Sequence, residues 1–539
     1  MAREFICKMK GYIQPFERRL ALMELKSVAG TLPTSKPGHI NGALIYRVRT
    51  PRRMDHLTNT LTFWETITQP DKNEPHYTRQ VRREATSNLA RNGISPVQLQ
   101  CLLPFNGNGI TLPNRRNLRY GPHGVHEYRG KFFPQLARAL LNVAGVRRGQ
   151  TVLDPMCGSG TTLVEASLMG CTSFGVDMNP LSVLISQAKC AILHTAPDVL
   201  TKEYELLKTY LSKTCLGRSR LTWFEHLPQK DRAYLMSWFS LQVLADLDLI
   251  AVRVDSTRDQ ACRDLFRVCL SNILRSVSWQ KDDDLRVRKE FRPDDDTDAI
   301  AEYVNELDRT VRNVLAFLYE DRDFEPGVAQ IFEHDARSLG SPNSPLVRFD
   351  GKVKTIITSP PYATALPYLD TDRLSLCYLG LLSRPYHRTR DYEMIGNREV
   401  TERQRREYWL NFQQRKQELP SAVTHLIDKI DRLNKSGEAG FRRRNLPTLL
   451  ARYFLDMRRV FQNIALLLKP NAAAYVVIGN NHTIASGQRI DIETDRLLGL
   501  IAQSSGLTLE EAIPMEMLLS RDIFKKNATA SETILCFRK

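Results

Sequence analysis

The 539-residue sequence contains no stretch approaching the roughly 18 to 20 uninterrupted apolar residues that a membrane span requires. Its first ten residues, MAREFICKMK, lack the apolar core of a secretory signal, so the expectation is a cytoplasmic protein with no membrane partner. The ten cysteines form no CxxC pair and no Cys/His cluster at zinc spacing, which argues against a disulfide framework and against a structural metal site. They read as reduced, mostly buried thiols. No internal repeat and no long low-complexity tract is present. Acidic residues are in deficit: 60 Asp and Glu stand against 76 Lys and Arg, a net charge of +16. Such an excess points to a polyanionic partner, although it says nothing about fold.

The excess is uneven. Residues 1–120 hold 19 Lys and Arg against 8 Asp and Glu, and residues 381–450 hold 15 against 9, including Arg403, Arg405, Arg406 and Arg442, Arg443, Arg444. Residues 191–330, by contrast, hold 20 against 25. A single charge run is most simply a solvated face. Two basic regions flanking a near-neutral chain favour contact with phosphates.

Length alone exceeds one comfortable hydrophobic core, so several domains or one domain with large insertions are expected. Turn formers crowd residues 1–120, where periodicity is weak. From His126 the pattern changes. Thr151-Val-Leu-Asp154 reads as a short buried strand, Thr161–Met169 as a helix stopped by Gly170, and Ser173-Phe-Gly-Val-Asp177 as a second strand, the start of a parallel α/β sheet. About 140 helix-like residues then interrupt the alternation. It resumes with Val328–Asp335 and Val353–Thr358, followed by a polar, basic stretch and an amphipathic helix with Leu450, Phe454, Met457, Phe461, Ile464 and Leu468 at steps of four and three. Lys469-Pro-Asn471 should end that helix. A strand at Ala473–Gly479, a helix near 491–504 and a strand at Thr533–Phe537 complete a doubly wound domain with two insertions.

In such a sheet a nucleotide-like ligand sits beyond the carboxyl ends of the strands. Asp154-Pro-Met-Cys-Gly-Ser-Gly-Thr161 fits that place, since Gly158 and Gly160 let the backbone approach an adenosyl group without a Cβ between. Asp177, 23 residues after Asp154, stands where two ribose hydroxyls could donate to it. Leu163 occupies the position of the third glycine of GxGxxG and no Lys follows, so a pyrophosphate site is disfavoured. The plainer alternative is a tight turn with Asp177 capping the next helix.

Two prolines in Ile357-Thr-Ser-Pro-Pro-Tyr362 cannot continue a sheet ladder and force a rigid exit from the strand. An exocyclic base amine is a poor nucleophile because its lone pair is delocalised into the ring. The Ser359 hydroxyl and the Pro360 carbonyl would accept its two protons and turn the lone pair toward a sulfonium methyl, while Tyr362 stacks on the base. That atom is inaccessible inside a duplex, so the base must be flipped out. A Pro-Pro turn beside a core-edge tyrosine is the plain alternative, and the placing of both loops at strand ends on one sheet edge is what favours the chemical reading.

With these residues in hand, the sequence resembles the amino-group (cytosine-N4 or adenine-N6) DNA methyltransferases. The DPMCGSGT stretch looks like their cofactor motif, TSPPY like their catalytic motif, and HEYRGKFFPQLARALL like the segment covering the methionine part of the donor. The resemblance covers 126–190 and 328–369 closely and 450–539 in outline. It implies a mostly parallel, seven-stranded Rossmann-like methyltransferase sheet with helical insertions and a basic N-terminal extension. The divisions would be a basic region at 1–120 as a candidate for DNA recognition, a cofactor-binding half at 121–190, a helical insertion at 191–327, a catalytic half at 328–380, a basic insertion at 381–449 and the rest of the sheet at 450–539.

S-adenosyl-L-methionine would be held by Lys131, Phe132 and Phe133, by Asp154, Pro155, Cys157, Gly158, Gly160 and Thr161, and by Asp177 and Asn179. Asp335 would touch the donor adenine, assist the target base or merely cap a helix. Ser359, Pro360, Pro361 and Tyr362 would form the catalytic loop, with no metal. His126, Tyr128 and Arg129 are further candidates, as are Trp279, Lys281, Arg286 and Arg288 for DNA.

A Ser at the first catalytic position is similar to cytosine-N4 enzymes, whereas Asp or Asn is more usual for adenine-N6. No cysteine follows a proline, so the nucleophile pair of carbon-5 cytosine enzymes is missing, and Cys157 reads as a small lining residue. The expected partner is double-stranded DNA, with a cognate restriction or defence protein beside it. An RNA methyltransferase and an inactive nucleic-acid-binding defence subunit are the competing readings.

Overall fold

The computed structural model describes residues 2–34, 36–40, 42–72, 74–91, 93–105, 112–128, 132–213, 221–281, 288–292, 297–363, 368–435, 440–516 and 531–539. The turn-rich N-terminal region folds into an antiparallel sheet of β1 (Arg3–Met9), β2 (Gly38–Ile40), β3 (Ala43–Thr50), β4 (Trp64–Thr68) and β5 (Pro75–Tyr77), in the order β2-β3-β1-β4-β5. Alternation along β1 and β3 buries Phe5, Cys7, Tyr46 and Val48 on one face, where Phe5 lies opposite Val48 and Cys7 opposite Tyr46. That face and helix Pro15–Ala29 share a core with Leu136 and Leu140 of helix Pro134–Val143 and with Val152, Ile357 and Tyr475 of the larger sheet. The region is thus a layer fixed to the larger sheet. Strands of three to eight residues carry too few alternations to announce themselves in the sequence.

The larger sheet comprises β6 (Thr151–Asp154), β7 (Thr172–Asp177), β8 (Ala329–Glu333), β9 (Val353–Thr358) and β10 (Leu468–Gly479). After a two-stranded hairpin of β11 (Asn481–Ala485) and β12 (Gln488–Ile492), β13 (Thr508–Glu516) and β14 (Ser531–Arg538) complete it. The order is β13-β14-β10-β9-β6-β7-β8, with β14 alone antiparallel to its neighbours. This is the seven-stranded, mostly parallel sheet that the sequence led us to expect. From β6 the chain winds outward through β7 to β8, then returns to β9 and winds the other way. The switch point lies between β6 and β9, and the crevice beyond their carboxyl ends is where such a sheet takes its ligand.

The strand expected at 473–479 begins earlier, at Leu468, so that Leu468 is strand and not the last residue of the helix, which spans Phe441–Leu467. The helix near 491–504 is Thr494–Ser504, because β12 occupies the residues before it. Strand β13, with the sequence TLEEAIPME, shows no clean alternation and escaped the sequence reading.

Residues 191–327 contribute long helices, among them Pro197–Lys213, Leu241–Asp255, Gln260–Ile273 and Ala299–Glu320, around a core of their own that also takes in Leu181, Ile185 and Tyr378. Among the described residues, no helix is long and apolar enough to cross a membrane, and no group of three or more His, Cys, Asp or Glu could hold a metal ion.

Candidate active site

At the end of β6 the chain turns through Gly158 (φ 49°) and Gly160 (φ 76°) into helix Thr161–Ser167. The left-handed backbone there is one that side chains rarely adopt. The space beside each glycine is also taken. A Cβ on Gly158 would lie 2.9 Å from the Tyr128 ring, and one on Gly160 would lie 2.9 Å from the Ser186 hydroxyl. The expectation that both glycines clear room for a ligand is corrected accordingly: Gly160 packs on helix Pro180–Ala191, behind the cleft.

The loop, the end of β7 and the end of β9 enclose one cleft of about 790 Å³ counted out to solvent. From the glycine loop come Asp154, Pro155, Cys157, Gly158 and Thr161, and from β7 comes Asp177. Ser359 and Pro361 face them across the same space, with Phe132, Tyr128 and Asp335 on the remaining walls. The two motifs, some 200 residues apart in sequence, therefore share one cavity.

Asp177 is shaped as an acceptor. One carboxylate oxygen accepts from the Gly158 amide at 2.9 Å and the other from the Asn179 amide at 2.8 Å. Each oxygen retains a lone pair for a hydroxyl donor. Burial pushes this carboxyl up to about 6, against the pull of those amides. Asp154 is more deeply enclosed, and burial pushes it up to about 7 while it accepts from the Met156 amide at 3.2 Å.

Burial also drives the Cys157 thiol well above its ordinary range, and its Sγ lies 4.0 Å from the Ser186 hydroxyl, which agrees with a lining role and disagrees with a nucleophile. Ser159, a lining residue 1 % exposed, has a buried hydroxyl with no hydrogen-bond partner among the described residues. A buried orphan of that kind is expected to meet a polar group of a ligand.

Several expected residues lie elsewhere. Asn179 caps helix Pro180–Ala191 through the Leu181 amide and donates to Asp372 at 2.8 Å, so its side chain is committed to the fold. Phe133 turns toward the N-terminal layer, edge-on to Phe16 at 6.3 Å and 4.4 Å beneath the Arg116 guanidinium. Pro360 is buried behind the cleft, while Pro361 lines it. Tyr362 stands one residue beyond the lining, with its hydroxyl donated to Glu532. Asp335 lines the cleft and also caps the short helix Ala336–Ser338, accepting from the Arg337 amide at 2.8 Å. Lys131 and Arg129 lie outside the described residues, as do Arg286 and the side chain of Arg442.

Sequence reasoning passed over the far wall of the cleft, made by Met394 and Ile395. Beyond them Gly396 (φ 78°) packs so closely that a Cβ would sit 3.1 Å from both Pro361 Cβ and the Tyr362 carbonyl. Arginines strap this wall in place. Arg337 donates to the Glu393 carbonyl at 2.6 Å, Arg390 to the Met178 carbonyl at 2.6 Å, and Arg452 to the Met394 carbonyl at 3.3 Å. No motif flags these residues, although Gly396 inside a basic run was the one available hint.

Residues 125–198 match the RMKL-like methyltransferase domain. Over longer spans the chain is similar to the type II methyltransferase M.BsoBI of Geobacillus stearothermophilus, 22% identical over 405 residues that cover 69% of this chain and 76% of that one. It is also similar to the type II methyltransferase M.MjaII of Methanocaldococcus jannaschii, 24% identical over 318 residues, or 46% of this chain and 60% of the other. A shorter likeness, 46% over 52 residues, is to a tRNA (guanine(10)-N2)-dimethyltransferase of Methanothermobacter thermautotrophicus, covering 10% of this chain and 16% of that one. On these likenesses the chain is similar to the S-adenosylmethionine-dependent amino-methyltransferases, and S-adenosylmethionine is the cofactor they imply.

Proposed function

We propose that the protein methylates an exocyclic amine of a base in double-stranded DNA, with cytosine N4 as the first choice and adenine N6 as the second. The observation that carries this reading is the single cleft lined from one side by Gly158 and Asp177 and from the other by Ser359 and Pro361. The longer likenesses, to type II methyltransferases, support DNA as the substrate.

The donor, when bound, supplies an electrophilic methyl group on a sulfonium. Asp177 would accept from the ribose hydroxyls, the Ser159 hydroxyl would meet a polar group of the donor, and Phe132 would cover its methionine end. Across the cleft the Ser359 hydroxyl would accept an amine proton of the flipped base and help to direct the nitrogen lone pair at the methyl carbon. Once it carries the methyl group, the nitrogen would shed one proton to solvent. Holding both partners in line is the main catalytic contribution of such a site, and no covalent enzyme intermediate is needed.

A companion endonuclease of the same sequence specificity is the partner this reading expects. Residues 381–449 and the outer face of the N-terminal layer are its candidate DNA contacts. Expression in a host free of DNA methylation, followed by sequencing of that host's genome for modified bases, tests the proposal. N4-methylcytosine within a fixed motif is the expected result, and N6-methyladenine would select the second choice. An unmodified genome together with labelled-methyl transfer to tRNA or rRNA would replace DNA by RNA, the reading favoured by the short tRNA-enzyme likeness. Failure to bind a donor analogue in calorimetry would leave an inactive nucleic-acid-binding subunit.

A further inference from the structure

Resting on the reading above, we propose that Glu532 is a positioning residue for the catalytic loop: it holds the Tyr362 hydroxyl and so sets the plane in which that ring meets the flipped base. Glu532 lies near the start of β14, opposite Gly479 of β10 on one side and Met515 of β13 on the other. Because β14 runs against its neighbours, its first residues reach the sheet edge at which the parallel strands deliver their loops. The Tyr362 hydroxyl donates to a Glu532 carboxylate oxygen there. The carboxyl is largely withdrawn from water, which raises its pKa, and the tyrosine hydrogen bond opposes that rise.

The backbone of the same loop is held separately. Gly396 packs beneath the Tyr362 carbonyl, and the Asn481 side-chain amide donates to the Ala363 carbonyl at 3.2 Å. Backbone and ring tip are therefore held by different groups, Gly396 and Asn481 for the backbone and Glu532 for the hydroxyl, while the ring itself packs on the neighbouring core. A ring ordered before the base arrives loses less freedom on stacking, so the benefit should appear in turnover and not in donor binding.

The test uses the full-length protein and a duplex carrying the motif found by genome sequencing, with 2-aminopurine at the target base as a flipping reporter. Glu532→Ala and Tyr362→Phe should each lower kcat about tenfold or more while the donor KM stays within about twofold. Both should reduce the 2-aminopurine signal, and the double variant should be no worse than either single one, because the two groups act as a unit. Glu532→Gln, whose amide oxygen still accepts the hydroxyl, should recover most of the lost turnover. Should Glu532→Ala fail to fold, the Gln and Phe variants carry the test, since each changes a single polar group.

Additive losses in the double variant, a donor KM rising in step with falling kcat, or a Gln variant as poor as Ala would overturn the role. So would an unaltered Tyr362→Phe enzyme beside an active parent, and that outcome removes this proposal alone. A parent that transfers no methyl group to DNA removes the functional reading, and this role falls with it.

Discussion

Helices Arg79–Arg91 and Glu402–Arg415 both read in sequence as runs of positive charge, yet their arginines meet different partners. In the first, the Arg83 side chain is 1% exposed and lies 2.6 Å from Asp321, while Arg79 and Arg82 reach Asp321 and Glu320 at 3.7 and 3.4 Å. In the second, Arg403 is 86% exposed and pairs with Glu407 one turn away, and Arg405 and Arg406 share Glu402 on the same helix. Part of the positive excess of residues 1–120 is therefore neutralised inside the molecule, against the acidic helix Ala299–Glu320 and the residue after it. Arg403 and Arg406, within 381–450, are laid out on the surface in pairs weak enough to be exchanged for phosphates. Net charge per segment counts both alike, and only burial tells a seam from a contact surface.

The largest expected effect lies in the seam. Arg83→Ala leaves Asp321 buried without its closest partner and should cost about 3 to 5 kcal/mol of stability, read by denaturant unfolding. A loss under about 1 kcal/mol would mean that the seam holds nothing together and that the two basic regions are equivalent after all. Next comes the surface helix: replacing Arg403 and Arg406 together by Ala should weaken duplex binding about tenfold, and should reduce the slope of log affinity against log salt by about 1 for each phosphate no longer neutralised. An unchanged slope would take helix Glu402–Arg415 out of the DNA interface.

Asp177 represents a third use of charge, half-buried in the wall of the cleft, and its effect should be several-fold. Binding of a donor analogue should be flat above about pH 7 and weaken as pH falls through about 6, because the protonated carboxyl offers fewer acceptors. Asp177→Asn should bind more weakly with no such step. The same raised value makes the carboxyl's contribution to the ligand-free fold greatest at low pH, and that contribution is lost as pH rises through about 6. The smallest effect is the stability change in the Arg403 and Arg406 variant, within about 0.5 kcal/mol by thermal melting. A larger loss would show that this helix, too, is part of the scaffold.

The donor loop and the catalytic loop were legible because each is a contiguous run at a strand end. Asp154 to Thr161 and Ser359 to Tyr362 carry their backbone geometry in glycine and proline, residues whose conformational limits do not depend on distant neighbours. Asp177 followed from spacing along one strand-helix-strand unit. Met394, Ile395, Gly396 and Glu532 were not legible, since their relation to the cleft arises only when the basic insertion and the last strand close on it. Phe133 and Asn179 were misplaced for a related reason. Each sits within a matching motif, but Phe133 packs against a layer whose strands were unreadable, and Asn179 is claimed by a helix start.

The wall at Met394 to Gly396 has a bearing on how such a protein could acquire a new target sequence. Its residues belong to the basic insertion, yet Met394 and Ile395 line the cleft, Gly396 packs on Pro361 and Tyr362, and Arg337, Arg390 and Arg452 strap the segment down. On the proposed function, a transplant that swapped the whole of 381–449 for that of a relative would disturb the cleft as well as any contact of this segment with a duplex. Grafts that keep Arg390 through Gly396 and change only residues C-terminal to that glycine are the ones this architecture permits.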